Sequence, residues 1–240
     1  TLKYFSNLKN IDTIVTCLHI HKKNLENELN LNIKAYENIL YFVKTKNIKK
    51  IIYLSSVNVS EKKTSPYAYV KNKIENLLTN HDNFIIIRPS TIISFDKNKK
   101  LYGGRNGNSF NLFEKLFNYN LPIPIIGNGK YLFTFCFLND LSNFILILIK
   151  ENFLLNKKIN FFSGEYINFK EFIDLIAIIK KKNIIKIYLP LFFVKLLCKL
   201  KIFDYKNVDN LINQRIYYDY NNLIKKKIRI NQLFEIAKEQ

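Results

Sequence analysis

The residues best suited to chemistry lie in one short stretch. Ser55-Ser56 closes the apolar run Lys50–Ser55 (KIIYLS). It is followed by Ser65-Pro66-Tyr67-Ala68-Tyr69-Val70-Lys71-Asn72-Lys73-Ile74-Glu75. Tyr67 and Lys71 are four apart, so a helix places them on one face. A free tyrosine hydroxyl titrates near pH ~10, too high for a good base at neutral pH. A cation beside it favours the phenolate, and a lysine one turn away supplies that cation. Ser56, at the carboxyl end of its strand, lies where open α/β sheets bind ligands, and its hydroxyl can orient a substrate alcohol or carbonyl. Tyr69 and Lys73 repeat the same spacing, so spacing alone selects nothing. The surroundings favour Tyr67: strand, Ser-Ser, loop, Pro-Tyr, helix, Lys, Glu, next strand and Arg88-Pro89.

These residues need a scaffold, and the first hundred or so positions predict one by alternating strand and helix. Ile11–Leu18, Lys50–Ser55 and Phe84–Arg88 are short continuous apolar runs and predict buried strands. Leu25–Lys44 carries Leu29, Leu31, Ile33, Tyr36, Ile39, Leu40, Phe42 and Val43 at helical spacing, and Pro66 opens a helix running to about Leu78. Strands apolar throughout, joined by helices, imply a parallel sheet covered on both faces. Right-handed crossovers make it doubly wound. Beyond it, Asp96–Asn108 reads as a glycine- and lysine-rich loop and Phe110–Tyr119 as a helix. Tyr131–Leu138 reads as one aromatic strand with Tyr131, Phe133, Phe135 and Phe137 on its core face. Asp140–Lys150 and Phe169–Ile179 read as helices, Lys158–Phe162 and Ile184–Leu189 as strands, and the chain after Pro190 as mainly helical, with an extended piece at Arg215–Tyr218.

Composition narrows the function classes. The chain has 240 residues, 48 % hydrophobic and 24 % charged, an ordinary globular balance. Its net charge of +19 comes from scattered lysines with no basic block, so a nucleic-acid-binding module rests on charge alone. A basic chain also suits anionic small molecules. Cys17, Cys136 and Cys198 lie far apart in apolar contexts, which predicts free thiols in a reducing, cytoplasmic compartment and no metal site. His19, His21 and His81 are read as loop histidines that form no ligand set. The most apolar stretch, Ile184–Phe203, is broken by Pro190 and four lysines and predicts no transmembrane span. No Met occurs, so Thr1 is read as a processed or cut end and Thr1–Leu8 as the tail of a helix already under way.

On the residues named, the chain resembles the extended short-chain dehydrogenase/reductases, specifically the NAD-dependent epimerase/dehydratase group acting on nucleotide sugars. Pro66, Tyr67, Lys71 and Glu75 match the family's Pro-Tyr-x-x-x-Lys-x-x-x-Glu after a Ser-Ser strand end. Asp12–Leu18 is similar to its fourth strand. Asn32–Asn38 is similar to its N-V-x-G-T-x-N helix, and Arg88-Pro89 to the R-P after its sixth strand. Gly127-Asn128-Gly129 with Asn139-Asp140 is similar to its G-D-G…D-D segment. Arg215 and Asp219 resemble the pair before its last helices. The resemblance implies a Rossmann-like doubly wound parallel sheet with a small α/β C-terminal substrate lobe. Residues 1–95 would be the remainder of the NAD(P)-binding domain, and 96–240 interleaved sheet strands and the lobe. It implies NAD or NADP as cofactor, a nucleotide-sugar substrate and a role in cell-surface polysaccharide biosynthesis, and leaves room for a homodimer through Rossmann-domain helices. Ser56, Tyr67 and Lys71 would be catalytic. Tyr67, Lys71, Asn32 and Pro89 would bind the cofactor, and Ser56, Thr91, Asn108 and Arg215 the substrate.

The departures keep alternatives open. No glycine precedes Gly103, so the G-x-x-G-x-x-G phosphate loop is missing, and Gly103–Gly107 lacks the preceding strand and spacing to replace it. That segment reads as a substrate-side loop or a turn. Phe133 stands where the family often has a diphosphate-gripping arginine, and Thr91 where an Asn is expected. The connection from Ser56 to Tyr67 is short, which brings the chain closer to nucleotide-sugar 4-ketoreductases. A non-catalytic subunit of a respiratory complex with the same fold is a further alternative.

Overall fold

The structure, a computed structural model, describes residues 10–60, 65–103, 108–152, 154–163 and 167–200. The helix tail expected at Thr1–Leu8, the segment 104–107, Arg215, Asp219 and the expected elements beyond residue 200 lie outside these.

In chain order the first elements are β1 (Thr13–Thr16), α1 (Leu25–Thr45), β2 (Lys50–Leu54), α2 (Pro66–Leu78) and β3 (Phe84–Pro89). There follow β4 (Thr91–Phe95), β5 (Leu101–Gly103), α3 (Asn108–Asn118), β6 (Ile123–Ile126), β7 (Leu132–Phe133) and β8 (Phe135–Phe137). The last are α4 (Leu138–Lys150), β9 (Lys157–Phe161), β10 (Ile167–Asn168), α5 (Phe169–Lys180), β11 (Lys186–Leu189) and α6 (Leu191–Lys199). Their described residues fall into two compact units. One comprises 10–90 with Leu141–Phe161, the other Thr91–Asp140 with 162–200.

The first unit is built on a parallel sheet of order β1-β2-β3-β9. Register runs Ile51 opposite Phe84 through Leu54 opposite Ile87. Ile51, Ile52, Ile85, Ile86 and Ile87 are buried, as expected when helices cover both faces. Tyr36 and Leu40 of α1, Ile74 and Leu78 of α2, and Ile51, Tyr53, Phe84 and Ile86 of the sheet form one core cluster. Each such side chain stabilises the fold by ~1.5–3 kcal/mol relative to exposure. Both helices start at side-chain caps. Asn24 accepts from the Asn27 N–H ahead of α1, and Ser65 accepts from the Ala68 N–H ahead of α2, with Pro66 in the first turn. Lys50, buried at the start of β2, donates from Nζ to the carbonyls of Leu148, Ile149 and Glu151 at the C-terminal end of α4. A cation suits those unpaired carbonyls.

The inward stripe of α1 differs from the apolar face that periodicity predicts. It runs Glu28, Asn32, Tyr36, Leu40, polar for its first two turns, while Leu31 is exposed. β1 is also shorter than the expected Ile11–Leu18, because the backbone of Leu18 and Ile20 bonds to side chains of α1 instead of to a strand.

In the second unit, β4 pairs parallel with β8 and antiparallel with β5. The loop expected over Asp96–Asn108 therefore contains the returning strand of a hairpin. The Asp96 carboxylate closes its turn by accepting from the N–H groups of Asn98 and Lys100. The single strand expected over Tyr131–Leu138 is two strands in separate sheets, β7 against β10 and β8 against β4. Alternation still places Phe133, Phe135 and Phe137 in one core cluster with Phe169 and Phe172. At the turn after β6, Gly129 has φ +68, and a Cβ there would lie 2.7 Å from Ile125 Cγ2, so glycine is required.

Candidate active site

The site is assembled at the carboxyl ends of β1 and β2. Tyr67, Lys71 and Glu75 descend one face of α2 at successive turns. Tyr67 is half-buried at the open end. Lys71 is buried beneath it. Its Nζ donates to the Leu54 carbonyl at 2.7 Å and lies 4.7 Å from the Tyr53 ring centroid and 5.8 Å from that of Tyr67. Burial lowers the Lys71 ammonium to about 8, with the Glu75 carboxylate among the groups that oppose the shift. The same burial pushes the Tyr53 phenol far above its usual range, so Tyr53 serves as a neutral wall.

Glu75 anchors the bottom of this face. Its fully buried carboxylate accepts from Ser55 Oγ, from Arg88 Nε at 2.9 Å and Nη2 at 2.5 Å, and pairs with Lys158 Nζ at 3.4 Å. The end of β2, α2, β3 and β9 are thereby tied at one carboxylate. Ser56 lies two residues past the end of β2, and its Oγ accepts from the Asn58 N–H at 3.3 Å, which orients the hydroxyl within the turn. The competing pair separates by exposure. Tyr69 is exposed with Lys73 Nζ 5.4 Å over its ring, on the outer side of α2.

The loop after β1 forms the facing wall. His19 packs edge-on to Tyr67 at 4.7 Å between centroids, and His21 stacks on Tyr67 at 6.0 Å. His19 Nε2 lies 3.0 Å from Glu28 Oε1, and Glu28 Oε2 accepts from the Lys22 N–H at 2.8 Å. Burial, aided by the nearby Lys71 cation, lowers the His19 imidazole to about 4, so it is neutral at pH 7. Burial opposes ionisation of Glu28, but the hydrogen bonds from Lys22 and His19 outweigh it and hold the carboxyl below its usual value. The sequence reads the histidines as separate loop residues, and the structure brings two of them together beside Glu28. His19, His21 and Glu28 bring one donor atom each within 4.8 Å of one another, while His81 stays exposed in the turn after α2. Sequence reading missed Glu28. The available signal was its place one turn before Asn32 on the Tyr36–Leu40 stripe, facing a His-x-His that follows a strand.

Asn32 accepts from the Ile20 N–H and donates to the carbonyls of Ile20 and Glu28, and Tyr36 donates to the Leu18 carbonyl at 3.0 Å. Asn32 therefore shapes the wall that faces Tyr67. Pro89 ends β3, opposite Phe161 of β9. Thr91 opens β4 in the second unit and Asn108 is the first residue of α3; Arg215 lies outside the described residues. The structure thus brings Ser56, Lys71, Tyr67 and Asn32 into one region of the first unit.

A parallel α/β sheet with a Tyr-x-x-x-Lys helix at its strand ends defines the short-chain dehydrogenase/reductase class. A family model, the NAD dependent epimerase/dehydratase family, matches residues 2–161, and the chain belongs to that family. No curated protein matches it. Among solved structures it is similar to the UDP-N-acetylglucosamine 4-epimerase of Methanobrevibacter ruminantium M1 in complex with UDP-N-acetylmuramic acid. There the identity is 17 %, the TM-score 0.63, and 95 % of this chain and 76 % of that one are covered. The UDP-glucuronic acid 4-epimerase of Bacillus cereus with NAD gives 18 % identity, a TM-score of 0.61 and coverage of 98 % and 76 %. The UDP-glucose 4-epimerase of Thermotoga maritima with UDP-glucose gives 13 %, 0.56, 75 % and 64 %. The chain therefore spans less than two thirds of the Thermotoga enzyme. At these identities the likeness is one of fold.

Proposed function

We propose that this chain carries the proton-transfer half of an NAD(P)-dependent site acting on a nucleotide sugar, as an epimerase or dehydratase. The observation that carries the reading is the buried Lys71 ammonium, fixed on the Leu54 carbonyl and lying below the Tyr67 ring. When bound, the cofactor would accept a hydride from a sugar carbon or deliver one to it. The residues at hand fit its nicotinamide-ribose end, where Lys71 offers a donor. No glycine precedes Gly103, so no residue among these 240 is assigned to the diphosphate.

Tyr67 exchanges a proton between its phenol oxygen and a sugar hydroxyl or carbonyl oxygen. Lys71 stabilises the phenolate formed when that proton leaves, and Ser56 Oγ orients the reacting oxygen. Glu75 and Arg88 hold the helix and the strand end in register, so Tyr67 and Ser56 meet the substrate in fixed geometry. A 4-ketoreductase is the second reading, favoured by the short connection from Ser56 to Tyr67. It would release the alcohol, where an epimerase returns the hydride to the other sugar face.

The test is turnover of UDP- and dTDP-sugars with NAD and NADPH by the protein and by Tyr67→Phe. The variant should lose about a hundredfold or more in kcat. Near-normal turnover by Tyr67→Phe would overturn the reading.

A further inference from the structure

We infer that His19, His21 and Glu28 form a binding site for one divalent transition-metal ion of the zinc type, beside Tyr67. Their donor atoms all lie within 4.8 Å of one another. His19 Nε2 is 3.0 Å from Glu28 Oε1, and His21 Nδ1 is 3.9 Å from Glu28 Oε2. A tetrahedral ion with bonds of about 2.0–2.2 Å holds its ligand atoms roughly 3.3–3.5 Å apart. His19 and Glu28 already stand near that spacing. The remaining adjustment falls on His21, whose side chain is 51 % exposed and able to rotate.

The surroundings hold the donors in place. Glu28 Oε2 is fixed by the Lys22 N–H. Ile20, the residue between the two histidines, is clamped at both its N–H and its carbonyl by Asn32, one turn along the helix that carries Glu28. Such outer contacts orient metal ligands and commonly matter as much as the ligands themselves. Two imidazoles and one carboxylate suit zinc-type ions, whereas calcium and magnesium require more oxygen donors. Three protein ligands leave a coordination position open. His19 packs at 4.7 Å against the Tyr67 ring, so an ion here sets a positive charge beside the phenol assigned to proton transfer.

The site is tested without reference to turnover. The metal-free full chain is titrated with Zn²⁺ by calorimetry and with Co²⁺ by visible absorption, without cofactor or substrate. One equivalent should bind, with the intense d–d bands of low-coordinate Co²⁺. His21→Ala, a substitution at a half-exposed loop position, should keep the native circular dichroism and weaken Zn²⁺ by roughly a hundredfold. Glu28→Gln should do the same, and Asn32→Ala should weaken it by roughly tenfold or more. Cys17→Ser should leave the affinity unchanged. No saturable Zn²⁺ binding by the native protein would overturn the site. Binding that survives both His21→Ala and Glu28→Gln, or that is lost with Cys17→Ser, would also do so. None of these outcomes depends on the assay that tests Tyr67.

Discussion

The Lys71 ammonium donates to the carbonyl of Leu54, the last residue of β2, at 2.7 Å. This contact joins the proposed catalytic helix to the strand end that carries Ser56. It also holds a charge where water is largely excluded, which is why the Lys71 pKa falls to about 8 from an ordinary 10.5.

That shift sets a pH signature. Between about pH 8 and 10.5 the unfolded chain binds a proton at Lys71 that the folded chain has released, so this residue makes stability rise with pH across that window. Below it, the folded protein bears the cost of a buried cation. In Lys71→Met the dependence is absent. The unfolding free energy of the native protein minus that of Lys71→Met should therefore increase by roughly 3 kcal/mol across the window, measured by urea titration at each pH. A flat difference would contradict the assignment.

Glu75 compensates Arg88 and Lys158 and accepts from Ser55 while fully buried. Glu75→Gln preserves volume and removes the carboxylate charge that faces Arg88 and Lys158. A loss of about 3–5 kcal/mol is expected for a broken buried pair. The double variant Glu75→Gln/Arg88→Met should recover part of it, and the cycle is read from equilibrium denaturation. Additive effects would show that the two residues are not coupled.

Asn32→Ala removes three hydrogen bonds that hold Ile20 and the end of the first turn of α1. The Ile20 amide should exchange its hydrogen faster, and global stability should drop by about 1–3 kcal/mol, the cost of leaving buried polar groups unsatisfied. Unchanged protection of Ile20 in hydrogen-exchange mass spectrometry would mean that the loop is held by other contacts.

Tyr69→Phe separates the two tyrosines. Tyr69 is exposed on the outer side of α2, with only Lys73 over its ring among the ring contacts described. Its hydroxyl can be removed with a change in kcat of less than about twofold and in stability of less than about 0.5 kcal/mol. A large loss of turnover would transfer the proton-transfer role to Tyr69.

Much of this protein was legible in the linear sequence. The apolar runs at Lys50–Ser55 and Phe84–Arg88 marked buried parallel strands, since both faces of such strands meet helices. Ser65-Pro66 marked the start of α2 through local capping, and the four-residue spacing put Tyr67, Lys71 and Glu75 on one face through helix geometry alone. Those features depend on near neighbours. The tertiary structure decided what depends on distant ones. The spacing matched Tyr67–Lys71 and Tyr69–Lys73 equally, and only packing buried Lys71 under a half-buried Tyr67 while leaving Tyr69 and Lys73 exposed. Periodicity found one strand over Tyr131–Leu138 but could not choose its partners, so its division between β10 and β4 stayed hidden. Asn32 was marked by its resemblance to the family's helix, but Glu28, one turn before it, was not marked at all. They face inward because the loop after β1 folds onto α1, bringing His19 and His21 to Glu28, and no local rule foretells a meeting set by loop closure.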